Sequence, residues 1–408
     1  MDPDQFLGLM VDRFSRTRSP SKKDEFSSTL EVMETLRSRY HWLEKVGEGT
    51  YGCVYKAVDK ATGNTVALKK TLLDVPGGVP QSSLREILTM RDLSHPNIAR
   101  LRCVHATPSH IYMVFDFVEY DLRRVMEKLP RRQGLPLPVV KLFLWQLLEA
   151  CRFMHINHRI YHRDMKPPNI LVTESGEFCL VTESGEFFLV TESGVVQLTD
   201  FGLARSCPSP PTHAMTVEVV TLWYRPPEIL LRTEIYDHAV DIWSLACIFF
   251  EMVMGEVLYP GDSEIDQIFK IFRCRGTPTE ACWPGVSGLQ GFQGAFPRWT
   301  SRPMMEKVAH PEAADLIEKM LVLAPAQRLP CSEALKHPFL SDCTQKGFML
   351  EAKARLRRIL NTRSHPSIPP CPMLPPSGTA EADSGIELMD MEEEHDRSRE
   401  RLHLPASS

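Results

Sequence analysis

His162-Arg163-Asp164-Met165-Lys166-Pro167-Pro168-Asn169 gathers an aspartate, a lysine and an asparagine within one short loop. There Asp164 can accept or orient the proton of a hydroxyl, Lys166 can steady a γ-phosphate, and Asn169 can offer an amide oxygen to magnesium. Asp200-Phe201-Gly202 supplies a second hard oxygen ligand, as a metal bridging phosphates requires. Gly47-Glu48-Gly49-Thr50-Tyr51-Gly52, followed by Cys53 and Val54, forms a glycine-rich hairpin whose bare backbone N–H groups can approach phosphate oxygens. Alone this is weak evidence, because a plain tight turn reads the same way. A strand follows it, against the dinucleotide-binding reading, in which a helix would follow. Val66-Ala67-Leu68-Lys69 puts a lysine on a strand and Glu86 falls on a helix. A lysine held by a carboxylate can neutralise α- and β-phosphates without wandering. Each piece has an ordinary alternative, such as a satisfied core histidine at His162 or a loop carboxylate at Asp164. All of them in this order do not.

These residues need elements to hold them. From Tyr40 to Phe117 apolar residues alternate in short runs around glycine turns, which predicts a small β-rich lobe over residues 40–118. One helix interrupts it, with Leu84, Ile87, Leu88 and Arg91 at helical spacing after Pro80, Ser82 and Ser83. Beyond it, Val139–Met154, Ile242–Met254 and Ala313–Leu323 carry helical periods, so residues 119–340 form a larger, mainly α lobe. The fold class is α+β and bilobal. Residues 1–39 are polar, with Arg16–Lys23 basic and serine-rich, and read as a mobile extension with some helical spacing between Leu30 and Leu36. Residues 341–408 turn proline-rich and then acidic and read as a disordered or regulatory tail, with Arg355–Arg358 more a solvated helix face than a nuclear address. A nine-residue unit stands in three copies: VTESGEFCL from Val172, VTESGEFFL from Val181 and VTESGVVQL from Val190. Each carries a Glu-Ser-Gly turn between β-prone runs, so the two extra units, about residues 172–189, are expected to add two strands and two chain reversals. That meander would leave Phe178, Phe187 and Phe188 with little core to cover them.

Composition narrows the partners. The 408 residues are 43% hydrophobic and 24% charged with net charge -5, which favours protein or small-molecule partners over nucleic acid or an anionic membrane. The apolar run Ile242–Met254 is too short to cross a bilayer and is expected to be a core helix. The 11 cysteines are scattered with no C-x-x-C spacing, and no long apolar run follows a basic start, so no secretory signal is expected and reduced thiols are.

In this order the motifs match the signature set of the eukaryotic protein kinases. The chain resembles that family, and within it the cyclin-dependent kinases, over roughly Tyr40 to Leu340. Pro80-Gln81-Ser82-Ser83-Leu84-Arg85-Glu86 is similar to the family's cyclin-facing helix. Gly261-Asp262-Ser263-Glu264-Ile265-Asp266-Gln267, with Gly276-Thr277-Pro278, looks like its large-lobe insert. A Thr-x-Tyr activation motif, the mark of a mitogen-activated kinase, is absent. The resemblance implies a serine/threonine kinase using ATP and Mg2+, with a cyclin, protein substrates, and activating and inhibitory kinases as partners, in nucleus and cytoplasm. It implies Asp164, Lys166, Lys69, Glu86 and Thr221 as catalytic residues and Asn169 and Asp200 as metal ligands. The hairpin Gly47–Gly52 would cover the phosphates. Val54 and Ala67 would roof the adenine, Leu171 would floor it, Phe115 would be the gatekeeper, Asp116 and Val118 the hinge, and Asp121 a ribose contact. Thr216 would be the activating phosphorylation site, with Arg85, Arg163 and Arg205, expected to be unpaired, converging on its phosphate. Thr50 and Tyr51 would be inhibitory sites, and Val219, Val220 and Arg225 would select proline after the target hydroxyl. Gln81, Ser82, Met165 and Pro226 depart from the family pattern, and the repeat departs most. Its length motivates the alternative of a catalytically dead cyclin-binding scaffold.

Overall fold

Alternation along β3 explains how the small lobe separates its core from its cleft. The computed structural model describes residues 34–49, 52–73, 81–107, 109–173, 177–181, 187–191, 194–206, 221–292 and 296–362. β1 (Tyr40–Gly49), β2 (Gly52–Asp59) and β3 (Thr65–Leu72) precede α1 (Gln81–Asp92), and β4 (Leu101–Ala106) and β5 (His110–Asp116) follow it. The sheet order is β1-β2-β3-β5-β4, antiparallel throughout. Successive strand residues point to opposite faces. Val66 and Leu68 are therefore fully buried with Ala57 and Tyr40, while Ala67 and Lys69 between them turn to the other face. At Gly52 a Cβ would lie 1.9 Å from the Lys70 carbonyl oxygen, with φ at +152°, so only glycine closes the β1–β2 hairpin onto β3.

The large lobe opens with β6 (Tyr120–Asp121), α2 (Leu122–Met126) and α3 (Leu137–Arg152), which runs on as a π-helical turn, Phe153–His158. Short strands follow: β7 (Ile160–Tyr161), β8 (Ile170–Thr173), β9 (Glu177–Val181), β10 (Phe187–Thr191), β11 (Val195–Leu198) and β12 (Arg205–Ser206). The remaining helices are α4 (Pro227–Leu230), α5 (Ala239–Met254), α6 (Glu264–Arg275), α7 (Pro311–Met320), α8 (Cys331–Ala334) and α9 (Lys346–Leu360). α5 is buried from Ala239 to Met252, the core helix its all-round apolar sequence requires.

Both ends of the folded body lie beyond the expected boundaries. Residues 34–39 are helical and Leu36 is fully buried beside Tyr40, so the body starts inside the stretch assigned to the extension. At the other end α9, placed in the tail by composition, packs on α3 and buries Met349, Ala352, Leu356 and Ile359. Those residues recur at spacings of three and four, and intervening lysines and arginines disguise the stripe. Lys128 Nζ donates to the Thr362 carbonyl at 3.0 Å, fastening the far end of the helix.

The repeat folds otherwise than as a meander. β8 pairs with β11, setting Thr173 opposite Val195, and β9 pairs with β10, setting Val181 opposite Phe187. Both ladders are symmetric about residue 184, the register of one lengthened hairpin and not of an added meander. Identical β-prone units let each arm continue the register already set by β8 and β11, and β9 and β10 form a two-stranded sheet of their own. The side chains of Phe178, Phe187 and Phe188 lie outside the described residues.

Deleting Val172–Leu189 would join Leu171 to Val190-Thr191, residues of the same types as Val172-Thr173, and preserve the pairing with Val195. The deletion is expected to keep turnover and to melt at the same temperature or higher. A folded deletion without turnover would show that the insert contributes to function.

Candidate active site

The cleft is organised around Lys69. Its strand turns it away from the small-lobe core, and α1 brings Glu86, only 2% exposed, to meet it. Lys69 Nζ donates to Glu86 Oε2 at 2.8 Å and Oε1 at 2.9 Å, and to Asp200 Oδ1 at 2.9 Å. Burial alone would lower the Lys69 pKa, but the two carboxylates outweigh it and hold the lysine protonated. Burial pushes Glu86 up, whereas at Asp200 the Lys69 charge overcomes burial and holds the carboxyl below its usual range. Asp200 adopts a left-handed backbone, φ +63°, which a short polar side chain tolerates.

The loop after β7 gathers a second cluster. Asp164 Oδ2 accepts from Lys166 Nζ at 2.7 Å and Oδ1 from the Thr221 hydroxyl at 2.8 Å. Lys166 Nζ also reaches Thr221 Oγ1 at 3.2 Å. Asn169 Nδ2 donates to the Asp164 carbonyl at 2.9 Å, so its amide N–H is committed and its amide oxygen is left as an acceptor. With Asp200 this makes two hard oxygens, a set that fits magnesium, which keeps waters and phosphate oxygens in its remaining positions.

Neither motif explains why this loop is rigid. Asp241, at the start of α5, accepts from His162 N at 2.8 Å on Oδ2 and from Arg163 N at 2.9 Å on Oδ1. The π-helical turn after α3 carries His155 to the same Oδ2, 2.9 Å away. Arg163 takes φ +66° to present both N–H groups. In the sequence Asp241 merely bounds an apolar run, and His155 is one histidine among 14. The one legible signal is a carboxylate at the head of a strongly apolar helix.

Burial would lower His155, but its hydrogen bond to Asp241 and the Cys331 sulfur raise it to about 9. A histidine raised in the folded state contributes stability that is complete below its ordinary value near 6.5 and is lost as pH rises through 9. The thermal midpoint should therefore fall between pH 6.5 and 9.5 in the wild type and fall less in His155→Gln. Parallel slopes would mean that His155 is not the charged partner.

The expected nucleotide-binding residues lie on strands of both lobes. Phe115 on β5 is buried opposite Ala67, Val54 on β2 faces Lys69, and Leu171 on β8 pairs with Asp121 on β6. Gly47 and Gly49 pair with Val54 and Gly52 across the hairpin, and Glu48 is exposed and paired with Lys45. Asp116 ends β5 in an ion pair with Arg102, Val118 follows half-buried, and Asp121 caps α2 through the Arg124 N–H at 2.9 Å. Thr50, Tyr51, Thr216, Val219 and Val220 lie outside the described residues.

The expectation of unpaired arginines needs correction. Arg163 donates through Nε to the Leu203 carbonyl at 2.7 Å and through Nη1 to the Tyr236 hydroxyl at 2.8 Å. Arg85 donates to the Gly202 carbonyl at 3.2 Å. Buried guanidinium groups find acceptors rather than wait for a phosphate. Arg205 sits on β12 opposite Tyr161. Arg225 is held by Glu264 at 2.6 Å, and Trp223 Nε1 donates to the Gly261 carbonyl at 2.8 Å, so the large-lobe insert braces the segment after Thr221.

Residues 40–340 match the protein kinase domain family. The chain belongs to it. It is also 44% identical over 309 residues, 74% of this chain and 92% of the relative, to "Cell division control protein 2 homolog 3" of Trypanosoma brucei brucei. It is an ATP-dependent serine/threonine protein kinase of the cyclin-dependent type, in a bilobal kinase fold. Members of this family generally use ATP and magnesium and act on protein substrates, with cyclins as partners of the cyclin-dependent type. Among the described residues no helix is long and apolar enough to cross a membrane, and no cysteine is in a disulfide.

Proposed function

We propose that this kinase transfers the γ-phosphate of ATP to serine or threonine followed by proline in protein substrates, under a cyclin-type partner and in cell-cycle control. What carries the reading is Lys69, which holds Glu86 from α1 and Asp200 from the metal motif at once, so that the small-lobe helix and the cleft floor are aligned. Asp164 orients the incoming hydroxyl, and the Thr221 hydroxyl and Lys166 ammonium hold its carboxylate in place. Lys166 then meets the transferring phosphate, and Lys69 the α- and β-phosphates. Asn169 and Asp200 would hold magnesium, which neutralises charge on the phosphates. A cyclin pressing on α1 sets Glu86. Phosphate on Thr216 would draw Arg85 and Arg163 from their present carbonyl and hydroxyl partners and gather Arg205 with them, and phosphate on Thr50 or Tyr51 would oppose the nucleotide.

The test is turnover on a Ser-Pro-x-Lys peptide and its Ser-Ala-x-Lys twin, with and without candidate cyclins, for the wild type and Thr216→Ala. Cyclin-dependent preference for the proline peptide, weakened in Thr216→Ala, is expected. Equal rates on the two peptides would dispose of the proline pocket, and full activity of Thr216→Ala would dispose of the activating phosphate.

A further inference from the structure

A cavity of about 800 Å³ opens between the segment 258–260, α6 and the loop 298–307. Lys270, Arg273, Arg298, Arg302 and Lys307 line it, and no aspartate or glutamate does. In a chain of net charge -5, composition alone would not concentrate five cations around one hollow. Lys270 is engaged by Asp266 and by the Pro260 carbonyl. Among the described residues Arg298, Arg302 and Lys307 have no carboxylate partner, while Arg273 interacts with the Asp266 charge. Arg273 is also fixed over the Trp299 ring, 5.4 Å from its centroid.

The backbone carrying these cations is stapled in place. Thr277 N donates to the Trp299 carbonyl at 3.0 Å, Trp299 N returns to Thr277 Oγ1 at 2.9 Å, and Arg302 N donates to the Cys274 carbonyl at 3.0 Å. At Gly276, φ +83°, a Cβ would come within 2.9 Å of Ser301 N, so glycine lets the loop close on α6. Tyr259 closes the inner end of the cavity, 1% exposed, with its hydroxyl buried against the Cys274 and Cys247 thiols, and burial raises its pKa well above the ordinary value.

We propose that this cavity is a second anion-recognition site, taking a phosphorylated serine or threonine within an acidic protein segment. Guanidinium forks match phosphate oxygens, and one phosphate does not balance three unpaired cations with two more beside them, so acidic neighbours complete the match. The volume exceeds what one phosphate fills and suits a side chain with its flanking residues. The kinase reading enters only as the source of the phosphate, since the proteins around such an enzyme, its own products included, carry phosphoserine and phosphothreonine.

The experiment measures binding of a fluorescein-labelled Asp-Glu-phosphoSer-Glu-Asp peptide and its unphosphorylated twin to the full chain, at about 0.15 M salt and without ATP. Inositol hexakisphosphate serves as a free polyanion in competition. The phosphopeptide should bind at least about tenfold more tightly than its twin, and Arg298→Glu with Arg302→Glu should remove about tenfold or more. If the double variant melts early, Arg298→Glu alone is read instead. Equal binding of the two peptides, or charge-reversed chains that bind like wild type, would overturn the proposal. Binding of the polyphosphate but not the phosphopeptide would overturn the protein source. Because no turnover is measured, an inactive kinase would leave the binding result standing.

Discussion

Asp200→Asn and Asp164→Asn are each expected to lower turnover by about 10²-fold or more, the loss typical of a positioned acid-base or charge-stabilising group, while the fold persists. At Asp200 the backbone is left-handed, a conformation asparagine also accepts, so the exchange removes charge and leaves shape. The lost carboxylate oxygen weakens the metal set and frees Lys69 from one of its two partners. At Asp164 the amide cannot accept on both atoms, so either the Lys166 or the Thr221 contact is lost and the hydroxyl is no longer oriented. Magnesium distinguishes the two: raising its concentration should restore part of the activity of Asp200→Asn and none to Asp164→Asn. Turnover near wild type in either purified variant would remove the assigned role.

The second large effect falls on stability. Arg328 is 0% exposed at its side chain and all five of its N–H groups have acceptors. Nη1 and Nη2 grip the Glu228 carboxylate at 2.6 Å each, and the carbonyls of Val322, Ala239 and Leu323 take the rest. The guanidinium also lies 4.9 Å from the centre of the Trp243 ring. Arg328→Met would leave Glu228 charged, buried and alone, a loss of about 3–5 kcal/mol. At about 2–4 °C per kcal/mol for a body of this size, the thermal midpoint should drop by roughly 10 °C. Arg328→Lys should rescue little, because a single ammonium cannot fill five acceptors in a plane. A midpoint within a degree or two of wild type would show that the pair is dispensable. Glu228 stands in the first turn of α4, directly after the Trp223–Pro226 segment, so activity should fall below what the unfolded fraction explains.

Asp164, Lys166, Asn169 and Asp200 were legible in the sequence because phosphate and metal chemistry accept few residue types, and three of the four stand within six positions. The sheet was legible at β3, where alternation sorts Lys69 from Leu68. Asp241, His155 and the Glu228–Arg328 pair were not, since each looks like an ordinary helix or loop charge until a partner far along the chain arrives. α9 was missed because its buried stripe is narrow and its surroundings are basic. The hairpin was missed because three near-identical units satisfy a meander and a lengthened hairpin equally, and period-2 alternation cannot tell them apart.

That hairpin also restricts how the chain can have acquired its repeat. With three units the centre of symmetry falls on Ser184, inside the Glu-Ser-Gly of the middle copy. With one unit it falls on the only Glu-Ser-Gly there is. With two, the same pairing of Thr173 to its Val partner would set the reversal between Cys179 and Leu180, in a β-prone run with no turn residue, while the two Glu-Ser-Gly segments faced each other along the arms. Even copy numbers are thus poor folders and odd ones good. Slippage that adds or removes a single unit would meet selection against the product, and inheritance of this segment should proceed in steps of eighteen residues.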